Sequence, residues 1–504
     1  MSDSSDNGFR TILRSSSIIG GAQIVSIAAR LVKMKFLAVL LGPAGVGLAG
    51  IFISLMETAA AIAALGWGTV GTKQIAAANA ADDEAAVARV SYALMWGSLG
   101  LAIVGSLMFW AISRYIARDI LQLDNASGEV AWLALGVGLT VAAGSQAALL
   151  SGLRRIADLA RVNVAANVLG AALGVAAIYL WGRGGLIAMV LITPAITFLL
   201  GRVYLSRLNL AKAPQQASAL AKEWGAMTAL GIPFMGSGLI TAAGFLIART
   251  LVQNDLGTDA LGHFQAAWAI TMTYLGFILA AMGTDYFPRL SEVIGDHKTV
   301  RRIVNEQTEV ALLLCGPMLL AMLSLAPWVI QILYSSEFAP AVDILRWQLL
   351  GDILKILSWP MGFVVLALGA GRVFIFNQLA GMTAFLAGIY FGIPYFGVEA
   401  AGMAFIAIYA VTLPINWMVV RNRTGLRWNR AVLVEGGALI GAAILIAALA
   451  RHSEWLAAFV GMALTAAFGI AALLRISDMA ELSGKLAKLA QIGRRLRQWT
   501  RPRP

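Results

Sequence analysis

Six basic side chains fall inside long apolar stretches of this 504-residue chain: Arg30, Lys33, Lys35, Arg249, Arg346 and Lys355. Five acids keep them company: Glu57, Glu309, Asp343, Asp352 and Glu435. An ionised group held in hydrocarbon costs about 2.5–3.5 kcal/mol even on lenient insertion scales, so such residues face a partner or a wet cavity. Asp343 with Arg346, and Asp352 with Lys355, stand three residues apart and share a helix face, so each is expected to form an intramembrane ion pair. Glu435 is expected to meet the basic loop that precedes it. Arg30 and Lys33 lie about one helical turn apart, whereas Lys35 sits about 160° around the helix from Lys33. The unpaired remainder is cationic: Arg30, Lys33, Lys35 and Arg249 against Glu57. Snorkelling to the interface accounts for one or two of these but poorly for Arg30, midway along its apolar run. A cavity with surplus fixed positive charge takes an anion, and a guanidinium suits a phosphate or pyrophosphate by paired hydrogen bonds. A carboxylate, Glu57 or Asp352, is expected to couple the cycle to ions or to the membrane potential.

Other chemistries find no support. The single cysteine, Cys315, lies in an apolar run, and the three histidines show no ligand spacing, so no metal site is expected. There is no GxxxxGK[ST] phosphate loop and no nucleophile constellation, so neither cofactor nor catalytic residue is expected. Loops of at most about 20 residues leave no room for a catalytic domain.

The charges are positioned by apolar segments that run almost from end to end. Hydrophobic residues make up 59% and charged ones 13% of the chain, with a mean hydropathy of +0.79. A helix crosses the bilayer with about 20 apolar residues. Fourteen segments qualify: 15–41, 45–67, 90–112, 129–151, 160–181, 185–205, 226–250, 260–283, 305–325, 344–369, 373–393, 397–419, 432–450 and 455–474. With 52 glycines to let backbones approach, the expected fold is an all-α polytopic membrane protein of about 14 transmembrane helices. The first span follows a polar start and reads as an uncleaved anchor. Of the 38 Lys and Arg, 28 fall on one side, that of the termini, and only Arg114, Arg118, Arg183 and Arg451 on the other. By the positive-inside rule both termini are then cytoplasmic. The net charge of +12 is mostly topology and lipid contact, and no nucleic-acid partner is expected. Beyond the last span, Leu482, Leu486, Leu489, Ile492 and Leu496 alternate with Lys485, Lys488, Arg494, Arg495 and Arg497, and Trp499 follows. This is an amphipathic basic helix suited to anionic inner-leaflet lipid.

An internal repeat shows in the loops. Leu41-Gly42 and Gly47 follow the first span, and Leu256-Gly257 and Gly262 follow the seventh, both glycines at an offset of 215. Six spans separate the copies, so the repeat is parallel, with two six-helix lobes and two extra C-terminal helices. The expected organisation is a cytoplasmic N-terminus (1–14), an N-lobe (15–205), a cytoplasmic inter-lobe loop (206–225), a C-lobe (226–420), helices 13–14 (432–474) and the basic amphipathic tail (478–504). Pro233, Pro317, Pro360 and Pro414 fall in or beside spans, where they suit bending helices.

Three stretches and one longer one carry a likeness. They are Phe36 to Gly47 (FLAVLLGPAGVG), Gly152-Leu153-Arg154-Arg155 with Asp158 and Asn163, Phe287-Pro288-Arg289-Leu290-Ser291, and Glu337 to Lys355 (EFAPAVDILRWQLLGDILK). Over residues 15–420 the chain resembles the Wzx-type flippases of O-antigen and lipid III, which belong to the multidrug/oligosaccharidyl-lipid/polysaccharide exporter superfamily. The resemblance implies two six-helix lobes around a central cavity, with an undecaprenyl-pyrophosphate oligosaccharide moved between leaflets of the bacterial inner membrane. It implies a transporter of surface-polysaccharide biosynthesis, not an enzyme. Lys35, Asp352 and Lys355 match charged positions of that family; Arg30 and Lys33 do not, and the two extra helices depart from its twelve-helix members. The alternatives are a cation-coupled multidrug exporter of the same superfamily, which wants an acid-dominated cavity, and a lipid II flippase. A membrane glycosyltransferase or polymerase would need longer outer loops.

Overall fold

A computed structural model describes residues 3–123, 126–208 and 217–479, with side chains over 21–123, 126–208, 220–236 and 238–477. The basic tail at 478–504 and the centre of the inter-lobe loop lie outside the described side chains. Every described element is helical: α1 (Asp3–Ala63), α2 (Trp67–Ala80), α3 (Glu84–Tyr115), α4 (Ser127–Gly152), α5 (Ile156–Trp181), α6 (Gly185–Ser206) and α7 (Ala217–Glu292) come first. They are followed by α8 (His297–Ser324), α9 (Ala326–Leu333), α10 (Ala341–Ala367), α11 (Gly371–Phe396), α12 (Glu399–Thr424), α13 (Arg430–Ala450) and α14 (Glu454–Met479). In lipid each backbone N–H and C=O must find its partner within the chain, which a helix provides segment by segment. Eleven apolar helical stretches are long enough to cross a membrane, and three of them, Gly21–Ala63, Ile156–Ser206 and Gly238–Glu292, hold two spans each. That makes the fourteen spans read from the sequence.

The chain divides into two compact units, 1–262 with 333–335, and 263–332 with 336–504. The first unit thus holds the first part of α7 as well as α1–α6. Its core gathers Trp67, Ile75, Leu94, Leu149 and Met227. The indole of Trp67 donates to Thr228 Oγ1 at 3.2 Å and that of Trp224 to the Ala93 carbonyl at 2.9 Å. The second unit packs Tyr286, Leu290, Val304, Met361 and Val364, with Trp359 and Phe363 against them.

The repeat is written in the backbone. Gly42 (φ 61, ψ −165) breaks α1 and Gly257 (φ 86, ψ 177) breaks α7, each parting two spans. Left-handed residues recur at the same offset of 215: Arg154 and Gly369 precede α5 and α11, and Gly182 and Gly397 end those helices. Gly182 and Gly397 share their angles almost to the degree, φ 53, ψ −131 and φ 54, ψ −135. Asp83 and Asp296 cap α3 and α8 in matching conformations. Within the first unit the two glycine breaks touch: a β-carbon on Gly262 would run into the Pro43 carbonyl, and one on Gly47 would lie 2.8 Å from the Gly262 nitrogen. Only glycine permits so close an approach of two backbones.

Two helices exceed the sequence reading. Residues 68–80, expected as loop, continue as α2, which buries Trp67, Val70, Gly71 and Ile75. Its run of alanines favours helix, but 14 residues are too few to span. The same holds for α9, of 8 residues. Large side chains stay exposed on the outside of the helices, among them Trp110, Tyr115, Trp132, Tyr179, Trp181, Tyr395 and Trp455. They sit at the ends of α3, α5 and α11 and the starts of α4 and α14, as interfacial aromatic residues do.

Candidate functional site

Arg249 is the anchor of the first unit's charged cluster. It is buried (8% exposed) near the C-terminal end of the first span of α7. Its Nη1 donates to its own helix at the Phe245 carbonyl (3.1 Å) and approaches Ser54 Oγ of α1 at 3.4 Å. Ser54 lies one turn before Glu57, and Thr58 ties the same turn across to α7, its hydroxyl 3.4 Å from the Ala242 carbonyl. Glu57 feels the positive charge of both Arg249 and Arg30. Lys33, half-buried, lies within the field of Arg30. Two cations, Arg249 and Arg30, thus act on the one carboxylate, and Lys33 neighbours Arg30. Glu57 is exposed by surface area yet surrounded by protein, because its side chain opens on a cavity of about 280 Å3. That cavity is lined by Ala60, Ala64, Trp67, Ser98, Thr140 and Ser145. Glu57 is the charged residue of that lining, and Arg249 with Arg30 leaves one surplus positive charge beside it, which in a low-dielectric setting attracts an anion.

Lys35 has a different partner. Its ammonium donates to the carbonyl of Tyr334, a fully buried residue of the short segment 333–335 that belongs to this unit. The twist of the helix, which sets Lys35 about 160° from Lys33, accounts for the separate direction.

The second unit holds three ionic centres. Asp352 is wholly buried on α10, accepts from the Tyr274 hydroxyl at 2.7 Å, and has Lys355 Nζ 3.8 Å from its other oxygen. Lys355 also lies over the Phe405 ring at 5.8 Å, and Tyr409 stands edge-on to that ring. Arg346, also on α10, has Asp343 at 3.5 Å on its own helix and grips Glu454 of α14 with both guanidinium nitrogens, one bond being 3.0 Å. Trp347 donates to Glu399 at 3.2 Å beside it. Glu309 on α8, 4% exposed, accepts from Arg475 Nε at 2.7 Å. Glu435 corrects an expectation: its carboxylate lies 3.9 Å from Arg475 of α14, a helix that follows it, instead of meeting the basic loop before it. A chain of amides completes the interior, Asn377 donating to Asn416 and Asn416 to Ser358, each at 3.0 Å.

Sequence spacing found both i,i+3 pairs because they are local to one helix. It missed Tyr274, Glu454 and Arg475 as partners because those contacts join residues 78 to 166 positions apart. The signal that was present was a lone charge at the edge of an apolar run, which asks for a partner without naming it. Cys315 is buried and free. His263 Nε2 lies 3.1 Å from the Glu337 carbonyl. Among the described residues no group of three or more His, Cys, Asp or Glu is arranged to hold a metal.

Residues 36–343 match the family described as polysaccharide biosynthesis protein. The chain belongs to that family. This polysaccharide biosynthesis protein is 26% identical over 414 residues to the lipid III flippase of Escherichia coli (strain K12), an alignment covering 80% of this chain and 96% of the relative. Its fold is similar to that of a lipid II flippase in an inward closed conformation, with a TM-score of 0.67, 12% identity, and coverage of 90% of this chain and 98% of the other. It is also similar to an inward-facing multidrug resistance MATE family transporter of the MOP superfamily, with a TM-score of 0.66, 16% identity, and coverage of 80% and 98%. At these identities the two structures speak for the fold alone. The chain is therefore a multi-pass membrane protein that shares the fold of these two transporters.

Proposed function

We propose that this protein is a flippase that carries an undecaprenyl-pyrophosphate-linked oligosaccharide from the cytoplasmic to the periplasmic leaflet of the bacterial inner membrane by alternating access. The observation that supports the reading is a local excess of positive charge: Arg249 and Arg30 both act on the carboxylate of Glu57, and Lys33 neighbours Arg30. A pyrophosphate supplies the missing negative charge, guanidinium groups hold it bidentately, and the sugars occupy wet space while the prenyl tail stays in lipid. The kinship with the lipid III flippase and membership of a polysaccharide biosynthesis family support the substrate class. Lys35 belongs to the same span, and we keep it among the candidate anion-binding groups although Tyr334 holds it in this structure. The lopsided distribution of Lys and Arg supports cytoplasmic termini. The two repeated halves, 15–205 and 226–420, are read as the bodies that alternate, and Glu57 or Asp352 as the group that couples them to an ion.

A cation exporter is the less favoured reading because two bases acting on one acid leave a net positive charge, which repels a cationic drug. The deciding experiment uses purified protein in liposomes and follows loss of a fluorescent undecaprenyl-pyrophosphate glycan from the accessible leaflet. Protein-dependent movement that fails in Arg30→Ala supports the proposal. No glycan movement together with proton- or sodium-linked export of a soluble cation overturns it.

A further inference from the structure

A second basic site lies in the second unit, where α8 begins, α12 ends and α13 begins. Arg301 and Arg302 of α8, Arg421 of α12 and Arg427 of the connecting loop line a cavity of about 810 Å3. The acid on its wall is Glu306, 3.9 Å from Arg302, which leaves a surplus of three positive charges. Topology alone asks only for basic residues on one side of a membrane; it does not ask for a concave, braced arrangement. Here the brace is Asn305, itself only 8% exposed. Its amide nitrogen donates to the carbonyls of Arg301 (2.8 Å) and Arg427 (3.1 Å), and its oxygen accepts from the Asn429 backbone at 2.8 Å. One side chain thus fixes the loop between α12 and α13 against α8. Gly425 closes the other wall in the left-handed conformation (φ 71), where a β-carbon would stand 3.2 Å from Arg301 Nη1. Asn429 caps α13 by accepting from Val432 N at 2.8 Å, so the positive end of a 21-residue helix also opens here.

The place in the fold says what meets it. α8, α12 and α13 are all long and apolar enough to span a membrane, and the pocket lies where they begin or end, at His297, Thr424 and Arg430. Trp417 lies beneath Arg421, the guanidinium 4.6 Å from the ring centre, and Trp428 packs into the core beside the loop. Tryptophan next to arginine at the end of a span marks the headgroup layer. We infer that this pocket is a binding site for a phosphate-bearing anion carrying two negative charges, supplied by the membrane as a phospholipid headgroup of the diphosphatidylglycerol kind. Guanidinium groups on three segments match two phosphodiesters joined by a short bridge, and basic pockets between spans favour such lipids. The site is separate from the Arg30–Glu57–Arg249 cluster, and its occupant is retained rather than transported.

Native mass spectrometry of the full-length protein in detergent tests this, titrating diphosphatidylglycerol, phosphatidylcholine or inorganic pyrophosphate into wild type and Arg301→Gln/Arg421→Gln. The expected result is at least about tenfold weaker retention of diphosphatidylglycerol by the variant, with phosphatidylcholine unaffected. If the double variant aggregates, Arg302→Gln/Arg427→Gln, which leaves the Arg421–Trp417 contact in place, carries the same comparison. Equal retention by wild type and variant overturns the proposal. Binding of pyrophosphate that depends on these arginines, with no binding of the lipid, keeps the phosphate chemistry and overturns the membrane as its source. None of these readouts involves transport, so failure here leaves the flippase reading standing, and the reverse.

Discussion

Arg249 differs from Arg30 in being locked in place, bonded to its own helix and to the Ser54 turn of α1. It is the group best placed to hold a fixed anion without moving. A charge-assisted hydrogen bond is worth about 1.5–3 kcal/mol, or about ten- to a hundredfold in affinity. Arg249→Gln is therefore expected to weaken glycan-lipid binding by about that factor, and Arg249→Lys by less, at equal protein level; retention of the fluorescent substrate measures both. The Asp352–Lys355 pair makes a contrasting forecast. Removing one member of a buried ion pair costs about 3–5 kcal/mol, whereas removing both is much milder. Lys355→Ala should lower the melting temperature in detergent strongly, and Asp352→Ala/Lys355→Ala should recover most of the loss. A double variant that melts like the single one would mean that the pair is not a closed unit. At this scale the sequence was a good guide wherever two charges shared a helix, as Asp352 with Lys355 and Asp343 with Arg346. It was silent on Tyr274 and Glu454, because nothing in the spacing of α10 points to a residue on another helix.

At the scale of elements, the fourteen spans were legible because hydropathy is a local property, and most of their ends fell within a few residues of the helices observed, apart from the polar turns that lengthen α1, α3, α7, α8 and α14. α2 and α9 were not, since a short apolar helix and a short apolar loop have the same composition and only packing separates them. The glycine breaks carry the sharpest test. Gly262→Ala places a methyl group against the Pro43 carbonyl, an overpacking that costs about 1–3 kcal/mol when backbone must give way. Gly128 has open space around it, so Gly128→Ala is expected to be neutral or stabilising by about 0.4–1 kcal/mol. Thermal melting of the two variants side by side checks both. The cap of α8 gives a pH prediction. Asp296, in the loop before that helix, accepts from the Thr299 hydroxyl and from the backbone N–H of Thr299 and Lys298. These bonds, the Thr299 hydroxyl foremost, hold its carboxyl below the usual aspartate value. A depressed folded pKa gives stability that is present above the unfolded value of about 3.9 and lost as pH falls through the folded one. Amide protection at the start of α8, corrected for the intrinsic exchange rate, should therefore fall below about pH 4 in wild type and show a flatter pH response in Asp296→Asn.

For the whole molecule, the question is what α13 and α14 are for. The sequence presented them as an addition to a twelve-span body. The contacts say otherwise for the second unit, because Glu454 closes on Arg346 and Arg475 on Glu309, two groups that are nearly buried. Truncation after Thr424 should leave Glu309 uncompensated and Arg346 with Asp343 alone, and give little monodisperse protein on size-exclusion chromatography. Glu309→Gln/Arg475→Gln in the full chain, which removes charge from both partners at once, should be tolerated better than Glu309→Gln alone.

The Arg346–Glu454 clamp also has a consequence in time. The two residues are 108 positions apart, so at about 5–20 residues per second α10 enters the membrane roughly 5–20 seconds before its partner exists. Through that interval the guanidinium needs a stand-in, and Asp343, one turn away and synthesised three residues earlier, is the one at hand. The acid that looks redundant in the finished protein is, on this view, an escort for its neighbour during membrane insertion. Asp343→Asn should then cost more in newly made protein reaching the membrane than in the stability of the protein that arrives.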